Sequence, residues 1–235
     1  MQPTNDKRGG TSMFDNIAHS YDFLNHLLTG GIDRYGRKQL VKRGANQPTR
    51  SIVDVATGTG DLAIALHRAI RPEQLIGLDL SENMLAVAQK KIERHQLQHS
   101  IILQKGNGEK TGLGSFSCDL VTVGFGIRNF QHPEKGLAEF HRLLTRGGRL
   151  LILEFSIPTN RLFRSVYLFY FKHLLPLIGK WLSGHASAYS YLPASVLSFP
   201  CGETFADMMR EAGFQNVSFT SYTFGIVTLY EGVKA

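Results

Sequence analysis

From Arg50 to Ser156 short apolar runs alternate with helix-patterned stretches, and this alternation leaves few architectures open to the chain. "RSIVDVA", "QLIGLDL", "SIILQKG", "CDLVTVGF" and "GGRLLILEFS" read as strands, and "DLAIALHRAI", "SENMLAVAQKKIERHQ" and "PEKGLAEFHRLLT" as helices between them. Ser81 is a good N-cap, Met84, Leu85 and Ala88 share a face, and Pro133 suits a first helical turn. The pattern predicts an α/β fold with a mostly parallel sheet. Near the end, "ETFADMMREAG" reads as a helix stopped by Gly213. The two strands in "NVSFTSYTFGIVTLYEGVKA" lie too close for a parallel crossover, so they predict an antiparallel hairpin at the sheet edge. Residues 14–43 read as helices broken at "TGGID", residues 1–12 as a polar, flexible tail, and 157–200 as an insertion. The expectation is one domain over residues 13–235.

The first strand runs into "DVATGTGDLAIAL", where Gly58 and Gly60 open a strand-to-helix turn of the GxGxxA type. Such a turn lets a ligand approach the backbone and offers it free helix N–H groups. Asp79 ends the second strand about 20 residues on, where a carboxylate accepts ribose hydroxyls. Two ligands compete for this arrangement, a nicotinamide dinucleotide and S-adenosylmethionine. Asp54, at the end of the first strand, is awkward beside a pyrophosphate and useful beside a methionyl ammonium. The glycine loop carries no basic residue, as suits a ligand without phosphate. Asn107 and Glu109 in "GNGE" follow the third strand, where an adenine edge could be read.

A net charge of +7 favours anionic partners, either nucleic acid or an acidic membrane surface. No nucleic-acid module or long basic run accompanies it, so no nucleic-acid partner is expected. Cys118 and Cys201 lack a CxxC spacing and read as reduced cytosolic thiols. No signal peptide or 18-residue apolar run is visible, so the expected location is cytoplasmic. No His/Cys/carboxylate cluster has metal-ligand spacing, and no metal is expected.

"DVATGTGDLAIAL", "GLDLSENML", "GNGE" and "PEKGLAEFHRLLTRGGRLLILEFS" resemble class I S-adenosylmethionine-dependent methyltransferases, whose sheet is seven-stranded and Rossmann-like. More narrowly, "FDNIAHSYDFLNHLLTGGIDRYGRK", "GFGIRNF" and "YSYLPASVLSFP" resemble the UbiE/MenG/COQ5 quinone C-methyltransferases, from about Phe14 onward. The resemblance implies C-methylation of a polyprenylated quinol. Demethylmenaquinol is the first expected substrate, and 2-polyprenyl-6-methoxy-1,4-benzoquinol the second. A non-catalytic lipid- or partner-binding relative is the rival. By position, Thr59 falls in the glycine loop, Asp79 on the ribose, and Asn107 and Gly108 near the adenine. With Asp54, Gly58 and Gly60 they form the expected cofactor set. Three departures stand out: Gly124 where the family often has Ser or Thr, Gly108 where it usually has Ala, and "KTGLGSFSCD" where "LPFPDNSFD" is usual.

A quinol ring carbon becomes a good nucleophile when a ring hydroxyl loses its proton, so the site must align the reactants and help that proton away. Arg128 and Asn129 follow the fourth strand, at the end of the sheet where ligands bind. Arg128 stays protonated and suits a developing quinolate, or a water carrying the proton; the alternative is an Arg–carboxylate pair that holds the loop. Asn129 suits a quinol oxygen. Tyr21 completes the expected catalytic set; it shares a helix face with Asn25, as Asp22 does, in a segment expected to cover the cofactor pocket. His19, His26 and His132 have the right titration range for a base, but the base is not identified. "RLFRSVYLFYFKHLLPLIGKWL" is too interrupted to span a bilayer. It suits a lid over a lipid tail or a helix at the membrane interface, with Arg161, Arg164, Lys172 and Lys180 as basic flanks. A core or homodimer interface is the alternative. Tyr189 and Tyr191 line the pocket or hold the lid.

Overall fold

A computed structural model describes residues 29–170 and 193–235. Tyr21, Asp22, Asn25, His19, His26, Lys172, Lys180, Tyr189 and Tyr191 lie outside the described residues. The elements in chain order are α1 (Ile32–Gly44), β1 (Ser51–Val55), α2 (Asp61–Ile70), β2 (Gln74–Asp79), α3 (Glu82–Arg94), β3 (Ile101–Lys105) and β4 (Cys118–Gly124). A single 3-10 turn (Ile127–Asn129) precedes α4 (Pro133–Leu143), β5 (Leu144–Phe155) and α5 (Arg161–Phe169). Then come α6 (Glu203–Glu211), β6 (Gln215–Tyr222), a 3-10 turn (Thr223–Gly225) and β7 (Val227–Val233).

The strands form one seven-stranded sheet in the order β3-β2-β1-β4-β5-β7-β6. β1 to β5 pair in parallel, and β7 runs antiparallel to both β5 and β6. The alternating pattern thus yields the expected mostly parallel sheet with an antiparallel hairpin, and β6 is the outer strand. Both faces are covered, as a parallel sheet requires. Ile52, Leu120, Leu151 and Leu153 join one apolar cluster with Leu40 of α1 and Leu62 and Leu66 of α2. Val53, Val121, Leu150 and Ile152 turn to the other face and join Leu137 and Phe140 of α4 and Phe205 and Met209 of α6. Alternate strand residues therefore feed two separate cores.

Local signals account for most boundaries. The Ser81 hydroxyl accepts from the Met84 N–H at 3.1 Å and caps α3, whose buried stripe is Met84, Ala88 and Ile92, with Leu85 at its margin. Pro133 starts α4. Two boundaries differ from expectation. The "TGGID" break is confined to Gly30 and Gly31, both with positive φ, and Ile32 and Asp33 already belong to α1. β5 begins at Leu144 rather than at Gly147, because Leu144 pairs with Cys118 ahead of a register shift in the β4–β5 ladder.

Long-range caps hold the helices in place. Arg149 donates from Nη2 to the Gly44 carbonyl at 2.9 Å and from Nη1 to the Arg43 carbonyl at 3.1 Å, pinning the C-terminus of α1. Lys234 does the same for α4, donating to the carbonyls of His141 (2.6 Å) and Leu144 (2.8 Å).

Candidate active site

The chain runs from β1 through β2 to β3 on one side of β1, then returns to β4 on the other. The β1–β4 boundary is therefore the switch point at which an open α/β sheet binds its ligand. β1 ends here in Asp54 and Val55, followed by the glycine turn. Gly58 and Gly60 have φ of 56° and 81°, a left-handed backbone that side chains resist. The turn is held from beneath by the Thr57 N–H, which donates to the Leu78 carbonyl at 3.0 Å.

Asp54 is fully buried in the floor of this turn. Its carboxylate accepts from the Thr57 hydroxyl at 2.7 Å and from the Thr122 hydroxyl at 2.6 Å. Burial pushes its carboxyl up to about 6, despite these two hydroxyls. Asp79 stands beside it at the end of β2. One of its oxygens accepts from the Gly58 N–H at 2.8 Å and the other from the Ser81 N–H at 2.9 Å.

Sequence reasoning missed the charged cluster that closes this pocket. Arg37 of α1 lines it together with Asp54, Thr57, Gly58, Thr59 and Asp61. The Arg37 guanidinium spans Asp33 and Asp61, 2.8 Å from each. Lys91 of α3 donates to Asp61 at 2.6 Å and to the Thr59 hydroxyl at 3.1 Å. The two cations hold the Asp61 carboxyl below its usual range, with the Lys91 hydrogen bond the larger lowering influence and burial acting against it. The local signal was Asp33 and Arg37 one turn apart within "IDRYGRK"; the partner Asp61 lies 24 residues away.

On the β3 side, Asn107 is exposed and Gly108 buried. The Asn107 side-chain oxygen accepts from the Glu109 N–H at 2.9 Å, which shapes the turn. Glu109 reaches across to the loop after β4, accepting from the N–H groups of Gln131 (2.7 Å) and His132 (3.1 Å). Gly108 is tightly enclosed, since a Cβ would stand 2.4 Å from Phe130 Cζ and 2.8 Å from Val55 Cγ1 and a side chain would have to shift. The missing Ala is thus matched by the Phe130 ring. At Gly124 a Cβ would meet Leu62 Cδ2 at 2.9 Å, so α2 occupies the space where the family often carries Ser or Thr.

Beyond Gly124 the 3-10 turn carries Arg128 and the half-buried Asn129. Arg128 is 6% exposed, and its Nη1 donates to the two oxygens of Glu154 at 2.6 and 3.0 Å and to the Phe125 carbonyl. Its guanidinium stands 5.5 Å from the Phe155 ring centroid, and Phe155 stacks on Phe125 at 4.3 Å. Glu154 is 1% exposed, and burial pushes its carboxyl up to about 7, against the attraction of Arg128. Glu154 was also missed, although a lone carboxylate inside "LLILEFS" must find a buried partner.

Asp54, Gly58, Thr59, Gly60 and Asp79 therefore converge at the switch point, Asn107 and Gly108 flank it on the β3 side, and Arg128 and Asn129 stand on the β4 side. The pocket presents both signs of charge, with the Asp54 and Asp61 carboxyls and the Arg37 guanidinium in its lining.

Known proteins resemble this chain over nearly its whole length. The sequence profile of the ubiE/COQ5 methyltransferase family matches residues 1–234. A protein of Bacteroides fragilis named demethylmenaquinone methyltransferase is 42% identical over 222 residues, 94% of this chain and 91% of its own length. The Ubiquinone/menaquinone biosynthesis C-methyltransferase UbiE of Syntrophotalea carbinolica is 44% identical over 223 residues, 95% of this chain and 93% of its own. Among solved structures, a SAM-dependent methyltransferase of Thermotoga maritima, described as a possible histamine N-methyltransferase, superposes with a TM-score of 0.66. It is 20% identical, covering 96% of this chain and 99% of its own, and shares the fold.

Proposed function

The chain belongs to the ubiE/COQ5 methyltransferase family, and we propose that the quinol it methylates is demethylmenaquinol. Its activity is C-methylation of a quinone precursor with S-adenosylmethionine as methyl donor. The relatives named for demethylmenaquinone favour the naphthoquinol; the relatives named for both pathways keep the methoxybenzoquinol as the second reading.

The observation that carries the site assignment is the carboxylate pair Asp54 and Asp79 around a glycine turn with no basic residue. That donor set fits the methionyl ammonium and ribose of S-adenosylmethionine. When bound, the cofactor supplies an electrophilic methyl group on a sulfonium. Asp54 would hold its ammonium, Asp79 its ribose hydroxyls, and the backbone at Asn107–Gly108 its adenine. Arg37 stands at the same pocket and would face the methionyl carboxylate. Arg128 and Asn129 would receive the quinol oxygens at the ends of β4 and β5, and Tyr21 would complete the catalytic set. Residues 13–235 would act as one catalytic unit.

A polyprenylated substrate resides in a membrane, so peripheral contact at its cytoplasmic face is part of this reading. No helix among the described residues is long and apolar enough to cross a bilayer. α5 instead exposes Leu162, Val166 and Phe169 beside Arg161 and Arg164, which suits an interfacial helix. The deciding experiment is calorimetric titration with S-adenosylmethionine, followed by methyl transfer from labelled donor to demethylmenaquinol. Transfer to a ring carbon is expected; cofactor binding with transfer only to the methoxybenzoquinol would select the second substrate.

A further inference from the structure

Resting on the membrane contact read above, we propose that the β6–β7 turn and α5 form a single anchor for an anionic bilayer, with Phe224 entering the lipid beside Leu162, Val166 and Phe169.

The two elements meet at the end of the sheet where ligands bind. β7 runs antiparallel to β5, and Val227 is the register partner of Phe155, so the turn before β7 stands at the carboxyl end of β5. α5 starts from the same end, after residues 156–160. Phe224 of the turn stacks on Phe163 of α5, with ring centroids 4.3 Å apart and planes 13° from parallel. One apolar surface therefore crosses both elements. Phe224 is 69% exposed and Leu162 72%, and Val166 and Phe169 are exposed as well. Positions 162, 166 and 169 recur at helical spacing on one side of α5, whereas Tyr167 is the buried residue of the helix and faces the protein. Large apolar side chains gathered in this way mark an interaction surface, as scattered ones do not.

The backbone holds Phe224 outward. Thr223, Phe224 and Gly225 have φ of 51°, 57° and 89°, a left-handed run that only the glycine adopts freely. Ser156, just after β5, fixes the turn. Its N–H donates to the Ile226 carbonyl at 2.8 Å, and its hydroxyl to the Gly225 carbonyl at 2.8 Å. A strained turn that presents a bulky apolar ring to water gives the fold little in return, and the ring gains free energy on entering an apolar phase.

Charge selects the partner. From Phe155 to Gly202 the chain has no acidic residue and four basic ones, Arg161, Arg164, Lys172 and Lys180. From Ala212 to Tyr230 it has no charged side chain. Arg161 and Arg164 are exposed on α5. Glu203, in the lining of the cleft beside Phe163 and Phe224, is paired with Arg210 at 2.7 Å. A layer of anionic headgroups complements this surface. A symmetric contact with a second copy would instead press an acid-free cationic face against itself. Docked by this face, the protein turns the ligand-binding end of its sheet toward the lipid in which a polyprenylated quinol resides.

The test is co-sedimentation of the full chain with vesicles of phosphatidylcholine, alone or mixed with phosphatidylglycerol. Wild type should bind the mixed vesicles in preference and leave them in high salt. Phe224→Ser should weaken that binding by about 10-fold. Arg161→Gln combined with Arg164→Gln should weaken it by about 20-fold. Both variants should keep the wild-type Tm and affinity for S-adenosylmethionine, and lose turnover on demethylmenaquinol embedded in the mixed vesicles. If Phe224→Ser does not fold, Leu162→Ser makes the same test from the other element. No binding by wild type, equal binding by wild type and variants, or binding indifferent to phosphatidylglycerol and salt would overturn the proposal. So would a wild-type dimer in solution that Phe224→Ser dissociates. Vesicle binding needs neither cofactor nor quinol, so a wild type that binds vesicles but methylates no quinol would lose the substrate assignment and keep the anchor.

Discussion

Asp79 holds Gly58: one carboxylate oxygen accepts the Gly58 N–H at 2.8 Å, while the other accepts the Ser81 N–H at 2.9 Å. The residue expected on the ribose therefore also fixes the glycine turn and the start of α3. Asp79→Asn keeps an acceptor for only one of those N–H groups. It should weaken S-adenosylmethionine binding by about 10- to 100-fold, from the loss of charge-assisted bonds. Calorimetry reads the change; an unaltered Kd would remove Asp79 from the cofactor site.

Asp54 sets a pH dependence with two signs. Its folded carboxyl, at about 6, lies above the ordinary value of 3.8. Its contribution to stability is fully present below the unfolded value and is lost as pH rises through about 6. Cofactor binding runs the other way, because an ammonium needs the ionised carboxylate. Affinity for S-adenosylmethionine should fall as pH drops from 7 to 5, and Asp54→Asn should give a weaker and flatter profile. A variant that retains the wild-type slope would assign that slope to another group.

Gly108 and Phe130 form a sterically matched pair. Gly108→Ala should cost about 1–3 kcal/mol through overpacking against the ring. Phe130→Leu should recover much of that loss in the double variant. Denaturant midpoints of the four proteins give the coupling; additive losses would mean that the Phe130 ring moves aside at no cost.

Arg37 bridges α1 to the start of α2. Arg37→Met takes a guanidinium from the fully buried Asp33 and from Asp61, and should destabilise the fold by about 3 kcal/mol. Cofactor affinity should drop as well. Thermal unfolding with and without S-adenosylmethionine separates the effects: a lower Tm with an unchanged ligand-induced shift would confine Arg37 to a structural role.

The fold was legible because its signals are local. Ser81, Pro133 and the strand–helix alternation each act within a few residues, and the strands they delimit are those observed. The glycine turn and Asp79 were legible for the same reason, as spacing along one βαβ unit. Arg37–Asp61, Lys91–Thr59 and Arg128–Glu154 were not, because each pair joins elements that only the folded sheet brings together. The carboxylate in "LLILEFS" announced that a buried partner must exist, but nothing near it named Arg128. The start of β5 at Leu144 was hidden in the same way, since it depends on pairing with Cys118.

The place of β7 bears on how the protein is made. β6 precedes β7 in the chain, yet β7 lies between it and β5. As the polypeptide emerges from the ribosome, β6 appears before the strand that must connect it to the sheet, and β5 waits with an open edge. That half of the sheet can therefore be completed only in reverse of the order of synthesis. During the interval the bare β5 edge, apolar from Leu150 to Leu153, is open to pairing with other chains.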